Sequence, residues 1–282
     1  MHIFYKKKLE MVLKVGIVGI GNMGSKYVNK FKELNLDYVL IDSNPDQLSK
    51  FPDDVKKYQD IEKALSEDLD AVFVATSPQS HLPIARRFLD AGINVMVEKP
   101  PSLSRKELEE TLELAYKKNV YLSVSEIELK SSTVRNLSLD KNVSFVEGYR
   151  LNLGKGYINP FFDLAWHDLY IFHYLFGNFK IKDVKVEDNI AKVKAESENT
   201  EFDLQVAWLN PFTRREWILK TKDGDLVLNF AEDKIIYPSG EVKEKDNKDK
   251  LKLMIEEFLN KPSYDSTLRS INILKEIEKI KI

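Results

Sequence analysis

An apolar run, Val15–Ile20, passes directly into Gly19-Ile20-Gly21-Asn22-Met23-Gly24, after which Met23, Tyr27, Phe31 and Leu34 recur at helical spacing. Strand, glycine turn and helix in succession is the context that gives the G-x-G-x-x-G spacing its meaning. The first glycine permits the tight turn. The second lets the backbone approach a pyrophosphate, and the third lets helix and strand pack closely. The helix N-terminus then offers N–H groups and a positive dipole end to phosphates. Asp42, eighteen residues past Gly24, ends a second apolar run, Tyr38–Ile41, and Ser43 follows it. A carboxylate there accepts hydrogen bonds from the adenine ribose and repels a 2′-phosphate. The expectation is a dinucleotide, NAD rather than NADP, on Gly19, Gly21, Asn22, Met23, Gly24, Asp42 and Ser43. FAD or another adenine nucleotide is the rival ligand, and a ligand-free turn is the plainer reading.

The chain has two textures. From Lys14 to about Val124, short apolar runs (Asp70–Ala75, Asn94–Val97, Tyr121–Val124) alternate with helical patterns such as Ile84, Ala85, Phe88 and Leu89, ended by Gly92. That alternation implies a parallel sheet with right-handed crossovers. Beyond Ser125 the pattern changes. Phe202, Leu204, Val206 and Trp208 alternate with Glu201, Asp203, Gln205 and Ala207, as in a strand buried on one face. Asp223-Gly224 marks a hairpin, and two helices close the chain. The expected fold is α/β: an N-terminal parallel sheet over residues 1–124 and a C-terminal α+β domain over 125–282 with an open, mainly antiparallel sheet. Residues 1–10 are a candidate extension if Met11 is the true start.

Composition excludes several classes of chemistry. With no cysteine there is no disulfide, thiolate metal site or cysteine nucleophile. The four histidines, His2, His81, His167 and His173, form no metal-type pair, so no metal is expected. A net charge of −2 gives no global field for nucleic acid or an anionic membrane. No apolar run approaches a membrane span, and Glu10 and Lys14 interrupt the basic, then apolar start, so a cytoplasmic protein is expected.

Three further segments sharpen the reading: Ala75-Thr76-Ser77-Pro78-Gln79-Ser80-His81 at one strand end, Glu98-Lys99-Pro100 at the next, and Asp163-Leu164-Ala165-Trp166-His167. With the glycine loop, they resemble the Gfo/Idh/MocA family of glucose–fructose oxidoreductases and inositol dehydrogenases, over nearly the whole chain from Lys14. The resemblance implies a Rossmann domain joined to an open antiparallel sheet domain. It also implies hydride transfer at a secondary alcohol or ketone of a sugar, cyclitol or sugar nucleotide. Thr76, Ser77, Pro78, His81, Glu98 and Lys99 would line the cofactor crevice, since ligands of open α/β sheets bind outside the carboxyl ends of the strands. His81 otherwise reads as a helix-capping or surface residue. Family members usually carry a cis proline at the position of Pro100. By the same resemblance Lys99 stabilises negative charge on the substrate oxygen, His167 moves the hydroxyl proton, and Asp163 orients His167 from four residues away.

The chain departs from the family at Ser125-Glu126-Ile127-Glu128, which lacks the Asn or Arg many members carry; Glu126 is a candidate replacement. Tyr149, Arg150 and Tyr157 are the candidates for substrate contact, and Gly154 and Gly156 would let the loop before Asp163 close over it. Rival functions are an NAD-dependent glycosidase acting by transient oxidation, a reductase of a non-carbohydrate as in the biliverdin reductase branch, and a non-catalytic dinucleotide sensor. The amphipathic strands, including Trp208 and Trp217, suggest that the free sheet face joins copies into a homodimer or homotetramer.

Overall fold

The computed structural model describes residues 12–139, 142–152, 154, 156 and 159–280. Residues 1–10 and Tyr157 lie outside them. The chain divides into two compact units, residues 1–125 with 255–267, and residues 126–254 with 268–282.

Among the described residues the first unit carries a parallel six-stranded sheet. Its strands are β1 (Lys14–Val18), β2 (Asp37–Ile41), β3 (Lys57–Tyr58), β4 (Ala71–Val74), β5 (Asn94–Val97) and β6 (Leu122–Val124), in the order β3-β2-β1-β4-β5-β6. The crossovers carry helices α1 (Asn22–Glu33), α4 (Pro78–Asp90) and α5 (Arg105–Lys118), with two short turns of helix, α2 (Pro45–Leu48) and α3 (Ile61–Ala64), between β2 and β4. Val15, Ile17, Val39, Val72, Val95 and Val97 are inaccessible to solvent, which explains why these strands read as unbroken apolar runs. The first run is shorter than its hydropathy suggests. Gly19 takes φ +86°, so the strand stops at Val18 although Ile20 is apolar and buried.

Strand order reverses between β1 and β4, the point at which such sheets open a crevice. Residues 255–267 return to this unit, a feature that the change of pattern near residue 124 does not reveal. Phe258 packs edge-on against Phe73 at 5.4 Å. Side chains then occupy the hydrogen-bonding edge of β6: Ser266 Oγ accepts from the Val124 N–H, and Thr267 Oγ1 donates to the Leu122 carbonyl. A sheet edge is thereby closed without a further strand.

The second unit holds an eight-stranded sheet among the described residues. Its strands are β7 (Val143–Leu151), β8 (Lys180–Glu187), β9 (Ile190–Glu196), β10 (Glu201–Ala207), β11 (Arg214–Thr221), β12 (Gly224–Asn229), β13 (Lys234–Ile236) and β14 (Val242–Lys243). The order is β14-β13-β12-β11-β7-β10-β9-β8, antiparallel except that β7 and β10 run parallel. A 3₁₀ turn (Ile127–Lys130) and helix α6 (Ser132–Arg135) precede the sheet. A π-helical turn (Phe161–Ala165) opens α7 (Trp166–Phe176), and helices α8 (Lys250–Asn260) and α9 (Asp265–Ile277) close the chain.

The buried sheet face carries Val146, Gly148, Arg150, Phe202, Leu204, Val206, Trp217 and Leu219. Phe172 of α7 stacks on Phe202 with ring centroids 4.6 Å apart. At Gly148 a Cβ would lie 2.9 Å from Phe202 and 3.0 Å from Leu204, so close packing of this face requires glycine there. Trp217 corrects a sequence expectation: it is fully buried on this face and contributes nothing to the free one. Trp208 lies just past β10 with its indole against Gly156, where a Cβ would meet the ring at 2.1 Å. Gly156 thus serves a close contact, not only loop freedom. Among the described residues no helix is long and apolar enough to cross a membrane.

Candidate functional site

In the first unit the expected residues gather at the carboxyl ends of β1, β2, β4 and β5. Two of the three loop glycines are required by the protein itself. Gly19 needs its positive φ, and a Cβ there would strike Thr76 at 2.7 Å. A Cβ on Gly24 would lie 1.9 Å from the Gly19 carbonyl oxygen. Gly21 differs: its φ of −78° suits any residue, and a Cβ there meets nothing within 4 Å. It is the N-cap of α1, no side chain caps that helix, and its first turn, containing Asn22 and Met23, carries no acidic residue. The open space and the uncapped, positively polarised helix end fit a dinucleotide pyrophosphate.

Asp42 ties this loop to β2. Its carboxylate accepts from the Ile20 N–H at 2.7 Å and the Asn44 N–H at 2.9 Å. Each carboxylate oxygen can accept more than one hydrogen bond, so capacity remains for ribose hydroxyls. Ser43 beside it is exposed.

At the β4 end, Ser77 is the N-cap of α4 and Pro78 its first residue, and Ser80 Oγ donates to Thr76 Oγ1 at 2.8 Å. His81 is neither a cap nor a surface residue. Its ring is buried, with Nδ1 3.0 Å from the Pro100 carbonyl oxygen and Nε2 3.0 Å from that of Thr76. Burial holds its pKa below the ordinary histidine value, against the two carbonyls and Glu98, which favour the charged form. His81 is therefore a strut between two loops of the crevice. The Lys99–Pro100 peptide it braces is cis. Glu98 Oε1 accepts from the Tyr27 hydroxyl at 2.7 Å, and Glu98 Oε2 from the Lys99 N–H at 3.3 Å. Burial and the Glu98 charge keep the Tyr27 phenol protonated well beyond its ordinary range. Lys99 itself is half-buried.

The second unit carries Asp163 and His167, both half-buried, on the π turn and the first turn of α7. Single π turns recur at functional sites. His167 Nδ1 lies 3.0 Å from the hydroxyl of Tyr170, which is fully buried and accepts the Glu128 N–H at 3.0 Å. Sequence reasoning missed Tyr170, although its spacing of three residues from His167 was visible.

The substrate-contact candidates separate. Tyr149 and Arg150 are neighbours on β7 and so point to opposite sheet faces. Tyr149 bonds Glu147 and lies beneath the Arg214 guanidinium, 3.5 Å from the ring centroid. Arg150 is corrected. It is 3% exposed, and its Nε and Nη2 donate to the Asp168 carboxylate at 2.6 and 3.2 Å, so it is a core residue. Glu126 is likewise buried, accepting from Arg269 Nε at 2.8 Å.

Comparison with known proteins follows this geometry. A family profile described as "Oxidoreductase family, NAD-binding Rossmann fold" matches residues 13–126. Among curated proteins, UDP-N-acetylglucosamine 3-dehydrogenase of Acidithiobacillus ferrooxidans is 21% identical over 118 residues, 41% of this chain and 37% of that protein. Mouse biliverdin reductase A is 35% identical over 123 residues, 41% of this chain and 40% of that one. The chain thus aligns with about two fifths of these relatives' length. Its fold extends further: the structure of the Acidithiobacillus enzyme superposes with TM-score 0.85 over 96% of both chains at 20% identity. A 3-ketoreductase mutant from Actinomadura kijaniata, in complex with TDP-benzene and NADP, superposes with TM-score 0.80 over 96% of this chain and 97% of that one at 13% identity. The sequence match to the NAD-binding Rossmann part of the Gfo/Idh/MocA oxidoreductases is thus confined to residues 13–126, which hold the glycine loop and the cis Lys99–Pro100 peptide, while the likeness of the rest of the chain is one of fold.

Proposed function

We propose that this protein is an NAD-dependent dehydrogenase or reductase acting on a secondary alcohol or ketone of a sugar, cyclitol or sugar nucleotide. The observation that carries it is Gly21, a glycine that neither backbone conformation nor packing requires, at the uncapped N-terminus of a long helix. Such a position is explained by a ligand that needs the room. The charge of Asp42 at the β2 end favours NAD over NADP, although the Actinomadura 3-ketoreductase structure holds NADP.

The nicotinamide supplies the hydride acceptor or donor. The chain supplies the rest. Gly21 and the α1 N–H groups hold the pyrophosphate, and Asp42 holds the ribose. Lys99 would be the cation that stabilises developing negative charge on the substrate, and His167 the group that exchanges a proton with it. Asp163 and Tyr170 orient His167.

A Gly21→Ser variant tests the cofactor half. Serine is at least as good an N-cap as glycine, so the melting temperature is expected to stay the same or rise. The added side chain fills the ligand's space, so NAD affinity by calorimetry is expected to fall at least about tenfold. Unchanged affinity would remove the main support for the reading. The substrate half is tested with UDP-sugars, free sugars, cyclitols and a linear tetrapyrrole, followed by NADH absorbance. The tetrapyrrole is included because of the biliverdin reductase match.

The outward face of the second sheet is the expected contact between copies. Phe145, Ile218 and Val227 are half-buried there among Glu147, Asp203, Lys192 and Lys194. Sedimentation at micromolar concentration is expected to give a dimer or tetramer, and Ile218→Glu a monomer. A monomeric parent protein would contradict this.

A further inference from the structure

We propose that Tyr170 is a positioning residue that holds neutral His167 with its proton on Nε2. The Tyr170 oxygen has two described partners, the Glu128 N–H and His167 Nδ1, each at 3.0 Å. The Glu128 amide can only donate, so the oxygen accepts there. That leaves the phenolic proton in a fully buried site where the remaining partner able to accept it is Nδ1. Burial first, and then the Glu128 charge, keep that phenol protonated well beyond its ordinary range, so its proton stays in place to be donated. If His167 instead carried its proton on Nδ1, both groups would point a hydrogen at the other or the hydroxyl proton would be buried without an acceptor. A neutral imidazole has a single N–H, and which nitrogen bears it is set by the partner of the other. Tyr170 therefore assigns the N–H to Nε2.

The consequence for catalysis rests on the hydride-transfer reading above. In this tautomer the neutral ring offers a hydrogen-bond donor to a carbonyl oxygen, which suits a bound ketone. To take a proton from an alcohol at Nε2, the ring must first carry its proton on Nδ1, and the tyrosine must turn from donor to acceptor. The resting tautomer thus favours the ketone side of the reaction.

Long-range ¹H–¹⁵N correlation spectra of the ¹⁵N-labelled protein, recorded where the ring is neutral, read the tautomer directly. The spectrum of His167→Asn identifies the His167 signals by their loss. The expected result is an Nε2–H form in excess of Nδ1–H by at least about tenfold, because an orphaned buried hydroxyl is costly. A predominant Nδ1–H form in the parent protein would overturn the proposal without recourse to any Tyr170 variant. In Tyr170→Phe the excess is expected to fall several-fold, and an unchanged ratio would exclude Tyr170 as its cause. Failure to bind NAD would sink the hydride reading while leaving the spectra unaffected, so the two failures are distinguishable.

Discussion

His167→Ala is expected to lower turnover by roughly 10²–10⁴-fold, the usual contribution of a positioned acid–base group. That corresponds to about 2.7–5.4 kcal/mol of transition-state stabilisation. NAD affinity is expected to remain within about threefold of the parent, because the cofactor contacts assigned here belong to Gly21, Asp42 and their loop neighbours. The melting temperature is expected to fall by roughly 2–8 °C, because the buried Tyr170 hydroxyl keeps the Glu128 N–H as its donor but loses His167 Nδ1 as the acceptor of its own proton. His167→Asn separates positioning from proton transfer. An amide can hydrogen-bond but does not exchange protons near neutral pH, so Asn is expected to be nearly as slow as Ala. Steady-state kinetics on the first substrate to give NADH decide the matter. If either variant turned over at the parental rate with unaltered NAD affinity, His167 would not be the proton-exchanging group.

The parts of this fold that sequence revealed are those governed by local pattern. The strands of the parallel sheet read as apolar runs because both faces are covered, and Asn94–Val97 has the same bounds in the sequence pattern and the structure. Phe202, Leu204 and Val206 announced β10 by strict alternation. What pattern did not reveal depends on long-range partners. Arg150 reads as an outward charge until its partner, Asp168 on α7, is known, and Trp217 reads as surface until the same carboxylate is found beside its indole. The parallel pairing of β7 with β10 joins strands far apart in sequence, and no turn signal records it. The return of residues 255–267 to the first unit is likewise carried by side chains such as Thr267 and Phe258 meeting β6 and Phe73. The candidate site divides in the same way. Glycine spacing and strand ends were enough to name the residues that the first unit gathers at the carboxyl ends of its strands. Tyr170 stayed hidden because a tyrosine in an apolar helix looks like ordinary core.

Asp168→Ala is expected to destabilise the protein by about 3–5 kcal/mol, a large share of the whole folding free energy of a typical domain. The reason is the count of charges left behind. Arg150 is buried, and burial alone would discourage its charge; the Asp168 charge and hydrogen bonds outweigh that and hold it protonated above its ordinary range. Trp217 Nε1 also donates to Asp168, at 2.9 Å. Arg215 shares the β7–β11 ladder with Arg150 directly opposite, and its pKa is lowered by burial and by the Arg150 charge. Removing the carboxylate therefore leaves the Arg150 guanidinium and the Trp217 indole N–H without their common acceptor, and leaves the Arg150 charge facing that of Arg215, whose own Nε donates to Asn152. Removing both members of the pair, as in Arg150→Met with Asp168→Leu, deletes the stranded charge, and the double variant is expected to be more stable than either single one. Chemical denaturation of the four proteins measures the cycle. A single Asp168→Ala variant within about 1 kcal/mol of the parent would show that the pair does not hold the core. The pair also bears on the chemistry, because Asp168 is the residue next to His167. Its bonds to β7 and β11 help fix the rotation of α7, and His167, roughly 100° away round the helix, is left half-exposed. A conservative Asp168→Asn variant, if it folds, is accordingly expected to lose turnover as well as stability, with NAD affinity preserved.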